Sequence, residues 1–457
     1  MKTDTIAAIA TAMTNSGIGI IRISGDEAVE VADRIIRLKG NKKLSDCKTH
    51  TIHYGFVMEE DVKVDEVMVL LMKGPKSYTR EDTVEIDCHG GILVMNRILD
   101  LVLKNGARPA EPGEFTKRAF LNGRIDLAQA ESVIDVINAK NDFALKASMN
   151  QLSGDVSDII KEIRKKIIHE IAYIESALDD PEHYQMDMYG EELAEKIAPV
   201  ISKIEHLLVN AENGAILKEG IHTVIVGKPN SGKSSLLNSL VGKERAIVTD
   251  IAGTTRDVIE EQIRLNGISL NMIDTAGIRT TDDVVEKIGV DKAKEYVEKA
   301  DLVIYVVDSS IPLDADDDKI IELLQERNVI ILLNKSDLEP VITEKDMLSR
   351  LNKRILSVSA KNKDGIDDLE RTIEDMFFHG KIQMNDEVYI TNTRHKASLQ
   401  DVKQSLRLVQ QSIADGMPED FYAIDLMNAY EELGKIIGEA VEDDLVNEIF
   451  SKFCMGK

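Results

Sequence analysis

The sequence contains little cysteine and carries no excess of basic residues. Its three cysteines, Cys47, Cys88 and Cys454, lie far apart and lack the close spacing of metal ligands, so we expect free thiols in a reducing compartment. The net charge of −25 excludes broad nucleic-acid binding by this chain alone, because phosphate contacts require clustered lysine and arginine. A role in RNA chemistry would therefore need local contacts or a basic partner.

Long apolar runs and targeting signals are also missing. No stretch approaches the roughly 20 apolar residues of a transmembrane helix, and residues 1–9, which include Asp4, lack the basic and then apolar layout of a signal peptide. We therefore expect a cytoplasmic protein without membrane contact. The 457 residues exceed what one hydrophobic core organises, so about two to four domains are expected.

Different patterns follow one another along the chain. Residues 1–120 have the pattern of strands mixed with helices, and apolar positions then recur at helical spacing in residues 121–216. In residues 217–380, apolar runs typical of buried parallel strands alternate with helical stretches, and residues 381–457 are helical again. We interpret this order as an N-terminal α+β domain and a discontinuous helical domain that is interrupted by an inserted α/β domain. Two independent helical domains are the alternative.

A phosphate-binding motif opens the α/β segment. Residues 227–234 read GKPNSGKS after an apolar run, which fits the pattern G-x-x-x-x-G-K-[ST]. Backbone N–H groups of such a loop cradle phosphates, Lys233 reaches the β- and γ-phosphates, and the Ser234 hydroxyl holds Mg²⁺. The expected nucleotide contacts in this loop are Asn230, Ser231, Gly232, Lys233, Ser234 and Ser235.

Three further motifs follow at the ends of expected strands. Asp274 opens D-x-x-G, in which the carboxylate can hold Mg²⁺ through water and the Gly277 N–H can sense the γ-phosphate. Asp337 closes N-K-x-D and can accept hydrogen bonds from guanine N1 and N2, a donor pair that adenine lacks, while a Ser-Ala-Lys motif supplies a backbone contact to guanine O6. The residues concerned are Asp274, Thr275, Ala276, Gly277, Asn334, Lys335, Asp337, Ser359, Ala360 and Lys361. The four motifs in this order are typical of Ras-like GTPases of the translation-factor class, and they predict GTP as the ligand.

The segment between the first helix and the second strand of the α/β domain is the expected switch I. Thr255, in the stretch GTTRD, is the expected second protein ligand of Mg²⁺. The expected nucleotide contacts here are Thr249, Asp250, Ile251, Ala252, Gly253, Thr254 and Thr255.

The chain lacks the usual groups that promote attack by water. Ile278 follows D-x-x-G, where Ras-like proteins carry glutamine, and no obvious arginine finger is present to neutralise the charge of the transition state. The Asn230 amide oxygen can face a monovalent cation, and carbonyls of Thr249 and Ile251 could complete a K⁺ shell; the alternative is that Asn230 only braces the loop. Glu286 is a candidate to orient water, although a glutamate in an acidic stretch is more often solvated surface.

Motifs on both sides of the GTPase segment resemble one family. Residues 113–131 (GEFTKRAFLNGRIDLAQAE), residues 87–91 (DCHGG) and the terminal CMGK are similar to the signatures of the MnmE, or TrmE, family of tRNA modification GTPases, over essentially the full length. The resemblance implies that K⁺-dependent dimerisation of the GTPase domains is coupled to GTP hydrolysis. It also implies Glu286 as the catalytic residue, and as K⁺ ligands Asn230, Thr249, Ile251 and Thr254.

The resemblance further implies that residues 1–120 dimerise and bind a tetrahydrofolate derivative of the 5-formyltetrahydrofolate type. The implied folate contacts are Arg22, Glu85, Arg124 and Lys457. Members of the family form a homodimer and work with an FAD-dependent partner of the MnmG type, in a heterotetramer. Together they add an aminomethyl or carboxymethylaminomethyl group at C5 of the wobble uridine (position 34) of tRNA. The folate would supply the one-carbon unit, and the partner the redox chemistry, because this chain has no dinucleotide-binding fingerprint.

A GTP-controlled binding switch in ribosome assembly is the alternative function. It would require a basic RNA-binding module, such as a KH-type domain with a GXXG loop, and none is apparent in the sequence. Cys454 could be a nucleophile toward C6 of uridine or a thiol near the folate, or it could be a small residue that packs the tail; we assign it no role.

Overall fold

The structure of the protein is a computed structural model, and the chain divides into two compact units. One unit contains Met1–Ile137, Gln151–Ala198 and Asp401–Lys457, and the other contains Asn138–Asn150 and Pro199–Gln400. The structure describes residues 4–40, 42–180, 182–184, 188–241, 261–265, 268–273, 290–378, 388–439, 443–451, 453 and 456.

Strands dominate the first part of the chain, and helices follow. In chain order up to residue 219 the elements are β1 (Ile6–Ile9), β2 (Ser16–Ser24), α1 (Ala28–Ile35), β3 (Ile36–Leu38), β4 (Thr51–Glu59), β5 (Val62–Met72), β6 (Thr83–Gly90), α2 (Ile92–Lys104), β7 (Arg108–Pro109), α3 (Glu114–Leu121), α4 (Leu127–Asn138), α5 (Asp142–Ser153), α6 (Asp155–Asp179) and α7 (Tyr189–Glu219).

Strands and helices alternate after residue 219, and the chain then becomes helical again. These elements are β8 (Ile221–Val226), α8 (Lys233–Val241), β9 (Glu261–Leu265), β10 (Ile268–Met272), α9 (Val290–Lys299), β11 (Leu302–Asp308), α10 (Ala315–Leu324), β12 (Val329–Asn334), α11 (Glu344–Arg350), β13 (Arg354–Ser357), α12 (Ile366–Phe378), α13 (Thr393–Ala414), α14 (Glu419–Ile437) and α15 (Asp443–Ser451).

The first unit is built on a seven-stranded sheet with the order β3-β4-β5-β6-β2-β1-β7. Its strand pairs are antiparallel except β1 with β7. Val67, Val69 and Leu71 of β5 are buried in a core that α1 and α2 share, while Met68 of β5 and Tyr54 of the neighbouring strand β4 are exposed. Since side chains alternate between the two faces of a strand, one face carries the core and the other leaves apolar side chains exposed.

The helical part of the first unit comes from two separate segments. The apolar stripe of α6 is buried and α6 packs along α14, which follows the α/β segment in sequence. The discontinuous helical domain, and with it the predicted fold class, is therefore confirmed. The limits of the compact units fall within α4, α5, α7 and α13, and the three domain boundaries drawn from the sequence remain predictions. The buried stripe of α6 consists of Ile160, Ile163, Ile167, Ile171 and Ile174.

The second unit contains a six-stranded sheet with the order β13-β12-β11-β8-β10-β9. Its pairs are parallel except β9 with β10. Leu265 pairs with Ile268, so β9 and β10 form an antiparallel pair, and residues 266–267 between them lie outside the described residues. β11 and β12 are buried along their whole length, as their continuous apolar runs predict. The loops that follow β8, β11 and β12 leave the same edge of the sheet, where α/β proteins bind ligands.

Two of the three cysteines lie in the described part of the chain. Cys47 and Cys88 are both free thiols, as predicted, and burial raises the pKa of Cys88 to about 11. Among the described helices, none is long and apolar enough to cross a membrane. The described residues also contain no group of three or more His, Cys, Asp and Glu side chains that could hold a metal ion.

Candidate functional site

The phosphate loop joins β8 to α8, and its shape requires glycine at two positions. Gly227 has a φ of +149° and Gly232 a φ of +100°. A Cβ atom at Gly227 would lie 2.3 Å from the carbonyl oxygen of Val306, and a Cβ at Gly232 would lie 2.0 Å from Nδ2 of Asn334. Both the backbone conformation and the available space therefore exclude side chains here.

Lys233 connects the two ends of the phosphate loop, and Asn334 connects the loop to the Ser-Ala-Lys motif. Nζ of Lys233 donates hydrogen bonds to the carbonyl oxygens of Gly227 and Lys228 at 2.8 and 2.6 Å. Nδ2 of Asn334 donates to the carbonyl oxygen of Ser231 at 2.8 Å. Oδ1 of Asn334 accepts from the Ala360 N–H at 3.1 Å. The structure thus brings the phosphate loop, N-K-x-D and Ser-Ala-Lys together.

In the N-K-x-D and Ser-Ala-Lys motifs, a hydrogen bond holds the Asp337 carboxylate in place. The Ser359 hydroxyl donates to Oδ1 of Asp337 at 2.7 Å, and this hydrogen bond lowers the pKa of the Asp337 carboxyl. Asp337 is therefore ionised at neutral pH and can accept from two donors. Nζ of Lys335 pairs with Asp308 at 2.5 Å, across the strand neighbours β11 and β12. Burial opposes ionisation of Asp308, but hydrogen bonds from Lys335 and Ser310 outweigh it and lower the pKa of Asp308.

Several predicted nucleotide residues lie outside the described residues and stay predictions. Of the expected K⁺ ligands, only Asn230 falls within the described ranges; its side chain is exposed and its φ is +61°. Ser234 and Ser235 lie in the first turn of α8 and are exposed. The residues outside are Thr249, Asp250, Ile251, Ala252, Gly253, Thr254, Thr255, Asp274, Thr275, Ala276, Gly277 and Glu286.

The predicted folate residues that the structure describes gather around one aromatic ring. Arg22 on β2 faces Glu85 on β6 in register, and its Nε lies 2.7 Å from Oε1 of Glu85. The guanidinium of Arg124 lies 4.6 Å from the centroid of the Tyr78 ring, and that of Arg22 lies 5.7 Å from it. Nη1 of Arg22 also donates to the carbonyl oxygen of Gly456 at 3.1 Å. Lys457 is outside the described residues, but the residue before it contacts Arg22.

The C-terminal tail reaches Arg22 because α15 packs against α3, which lies in the signature at residues 113–131. Phe450 is buried, and its ring centroid lies 6.3 Å from that of Phe120 and 5.3 Å from that of Phe453. Gly113 has a φ of +68°, and a Cβ there would lie 2.6 Å from the carbonyl oxygen of Phe450. At Gly456, where φ is +89°, a Cβ would lie 2.5 Å from a main-chain oxygen of β1. The signature glycine therefore makes room for the tail.

The signature also contributes a partly buried ionic network that sequence reasoning missed. Arg118 bonds to Glu81 at 3.1 Å, to Glu114 at 3.0 Å and to Asp4 at 2.7 Å. Burial opposes ionisation of Glu114, but Arg108 and Arg118 outweigh it and lower the pKa of that carboxyl. Sequence reasoning also missed Tyr78, because no spacing rule links a tyrosine in a loop to arginines in other elements.

The chain matches two family models. The model described as the MnmE helical domain matches residues 127–454, and the model described as the GTP-binding protein TrmE N-terminus matches residues 5–124.

Curated relatives match over the full length. The chain is 58% identical over 458 residues to the tRNA modification GTPase MnmE of Lachnoclostridium phytofermentans, and the match covers 100% of both chains. It is 47% identical to the protein of the same name from Bacillus subtilis, with 99% of this chain and 100% of that protein covered. Among solved structures, the chain is similar to the G domain of the T. maritima FeoB iron transporter, at 27% identity. The match covers 34% of this chain and 97% of that chain, with a TM-score of 0.26. The motifs, the two family models and the full-length relatives agree that the chain belongs to the MnmE family of tRNA modification GTPases.

Proposed function

We propose that this chain is a potassium-dependent GTPase that acts in tRNA modification. With an FAD-dependent partner of the MnmG type, it forms the 5-carboxymethylaminomethyl or 5-aminomethyl group on the wobble uridine of tRNA. The observation that carries this proposal is the match over the whole chain to relatives named tRNA modification GTPase MnmE, at 58% identity in one case. The same full-length match favours this function over a GTP-controlled switch in ribosome assembly.

The phosphate loop and the base motifs support GTP as the nucleotide. Gly227 and Gly232 keep the loop free of side chains where its backbone turns, so its N–H groups can approach phosphate oxygens. The Lys233 ammonium, now bonded to loop carbonyls, is placed to neutralise β- and γ-phosphate charge. Ser234 and Thr255 would hold Mg²⁺, which adds positive charge at the same phosphates.

Asn230 supports a monovalent cation beside the phosphates. Asparagine is one of the few residue types that readily adopt a positive φ, and here the conformation leaves the amide exposed at the phosphate loop. Thr249, Ile251 and Thr254 would complete the shell. K⁺ would supply the positive charge that an arginine finger supplies in other GTPases, and Glu286 would orient the attacking water.

The surroundings of Tyr78 fit a tetrahydrofolate derivative. Folates present hydrogen-bond donors on a fused ring and carboxylates on a tail. Glu85 can accept from the ring, and the guanidinium of Arg124 can pair with a carboxylate. The side chains of Arg22 and Glu85 are 17% and 15% exposed, so the candidate folate site is mostly shielded from water but still accessible to a ligand. Lys457, next to Gly456, would add a second cation, and the bound folate would supply the one-carbon unit.

The open face of the seven-stranded sheet supports a homodimer. Tyr54 and Met68 lie directly opposite each other in register, and together with Ile52 they are 41%, 49% and 61% exposed. Contiguous exposed apolar side chains on a folded protein mark an interaction surface. A second copy of the chain is the occupant that we propose for this face.

Analysis of tRNA nucleosides tests the proposed function. Cells that lack this protein should lose the C5-modified wobble uridine, and the wild-type chain should restore it. The Lys233→Ala variant should fail to restore it, whereas Lys319→Met, which removes an exposed lysine of α10, should restore it fully. An unchanged nucleoside profile in cells without the protein would contradict the function.

A further inference from the structure

Lys228 lies in the phosphate loop, but its side chain forms ion pairs with two aspartates outside the loop. Its Nζ lies 2.6 Å from Oδ2 of Asp317 and 2.9 Å from Oδ2 of Asp314, both at the start of α10. The side chain of Lys228 is 15% exposed and that of Asp317 only 2%. Burial disfavours the charged lysine, but hydrogen bonds to Asp317 and Asp314 outweigh it and raise the pKa of Lys228. Lys228 is therefore anchored to α10 by an ion pair with Asp317 that is largely shielded from water.

The acceptor of this ion pair is itself held firmly. The hydroxyl of Tyr305, a fully buried residue of β11, donates to Oδ1 of Asp317 at 2.9 Å. The backbone N–H of Asp314 donates to Oδ2 of Asp317 at 3.0 Å, as half of the capping box of α10. Because a sheet residue and a helix cap both fix Asp317, it offers Lys228 a rigid attachment point.

The loop is thereby attached to the domain at two points. Lys228 ties the first half to α10, and Ser231 ties the second half to Asn334. The carbonyl oxygens of Gly227 and Lys228 are also those that accept from Lys233. The anchor therefore acts on the segment that positions the phosphate-binding ammonium.

We propose that Lys228, through its ion pairs with Asp317 and Asp314, is a positioning residue that holds the phosphate loop in its nucleotide-binding shape before the nucleotide arrives. A loop that is already ordered costs less conformational entropy when it binds. Without the anchor, the first half of the loop must be ordered by the phosphates themselves. This inference rests on the proposed GTP binding and concerns affinity rather than the chemical step.

Equilibrium titration of the full-length chain with GDP and with GTP tests the proposal. Lys228→Met should weaken both nucleotides by about tenfold, the effect of losing one charge-assisted contact, and should raise KM for GTP with little change in kcat. The matched control is Lys319→Met, which breaks an exposed ion pair with Asp316 at 2.8 Å and should bind as the wild type does.

A double variant separates positioning from stability. Lys228→Met alone leaves the Asp317 carboxylate without its cation and can lower Tm, because an uncompensated buried charge is costly. Adding Asp317→Asn removes that charge, so Tm should recover while nucleotide affinity stays about tenfold low. Affinity that recovers together with Tm, or Lys228→Met binding within twofold of wild type, would overturn the proposal. A wild-type chain that binds neither nucleotide would instead overturn the proposed function.

Discussion

We propose that Asp337, supported by Ser359, determines which base the nucleotide pocket accepts. The ionised carboxylate of Asp337, with its pKa lowered by the Ser359 hydroxyl, offers two acceptor oxygens. Guanine presents two donors, N1–H and the 2-amino group, whereas xanthine has an oxygen in place of that amino group. An asparagine side chain pairs one acceptor and one donor, and therefore matches xanthine.

Asp337→Asn should exchange the specificity of the pocket. We expect GTP affinity to fall by roughly 100-fold and XTP affinity to rise, because a charge-assisted pair of hydrogen bonds is lost in one case and a complementary pair is gained in the other. Competition titration with the two nucleotides measures this. Glu339→Gln, the same change in charge at an exposed position of the same loop, is the control. A variant that still prefers GTP would contradict the assigned role.

The sequence motifs name the candidate residues of the nucleotide pocket, but they do not name the residues that hold those candidates in place. Lys233, Asn334 and Asp337 follow from motifs whose spacing the chemistry dictates. Asp308 and Asp317 do not, because each reaches its lysine through sheet neighbours or a helix cap that only the folded chain brings together.

The tail helix α15 carries the C-terminal residues to the candidate folate site. Its helical character is readable from the sequence, but its docking is not. Phe450 meets Phe120, which lies far from it along the chain, and no local pattern encodes that contact. The positive φ of Gly113 explains why the signature contains a glycine.

Phe450→Ala should loosen the tail and weaken folate binding. Removing a buried phenylalanine costs about 3–5 kcal/mol, so the tail should detach and the affinity for 5-formyltetrahydrofolate should fall. Deletion of Lys457 should lower the same affinity without lowering Tm, because it removes one charged residue at the very end of the chain. Ser451→Ala, at an exposed position of α15, is the control. Undiminished affinity after the deletion would remove Lys457 from the site.

At the scale of the whole molecule, the order of domains was readable from composition and periodicity. The alternation of apolar runs predicted the inserted α/β domain, and family membership confirms the prediction of a GTP-hydrolysing enzyme. The surface that we propose for dimerisation was not readable from the sequence alone, because the apolar face of the sheet is recognisable only once strand register assigns Met68 and Tyr54 to the same side.

Met68→Asp should disrupt the homodimer. A carboxylate at the centre of an apolar interface must lose its hydration without gaining a partner, which is unfavourable. Analytical ultracentrifugation should show a shift from dimer to monomer at micromolar concentration. Leu348→Asp, at a 43% exposed position of α11, should leave the dimer intact. A variant at Met68 that stays dimeric would place the interface elsewhere.

We propose that a monovalent cation replaces the glutamine and the arginine finger that other GTPases use. GTP turnover by the wild-type protein and by Asn230→Ala, each measured in KCl and in NaCl at equal ionic strength, tests this proposal. We predict that wild-type turnover falls at least about tenfold in NaCl, since the lost charge acts on the transition state, and that Asn230→Ala turns over slowly in both salts while still binding GDP. Equal wild-type rates in the two salts would show that a monovalent cation does not replace these residues.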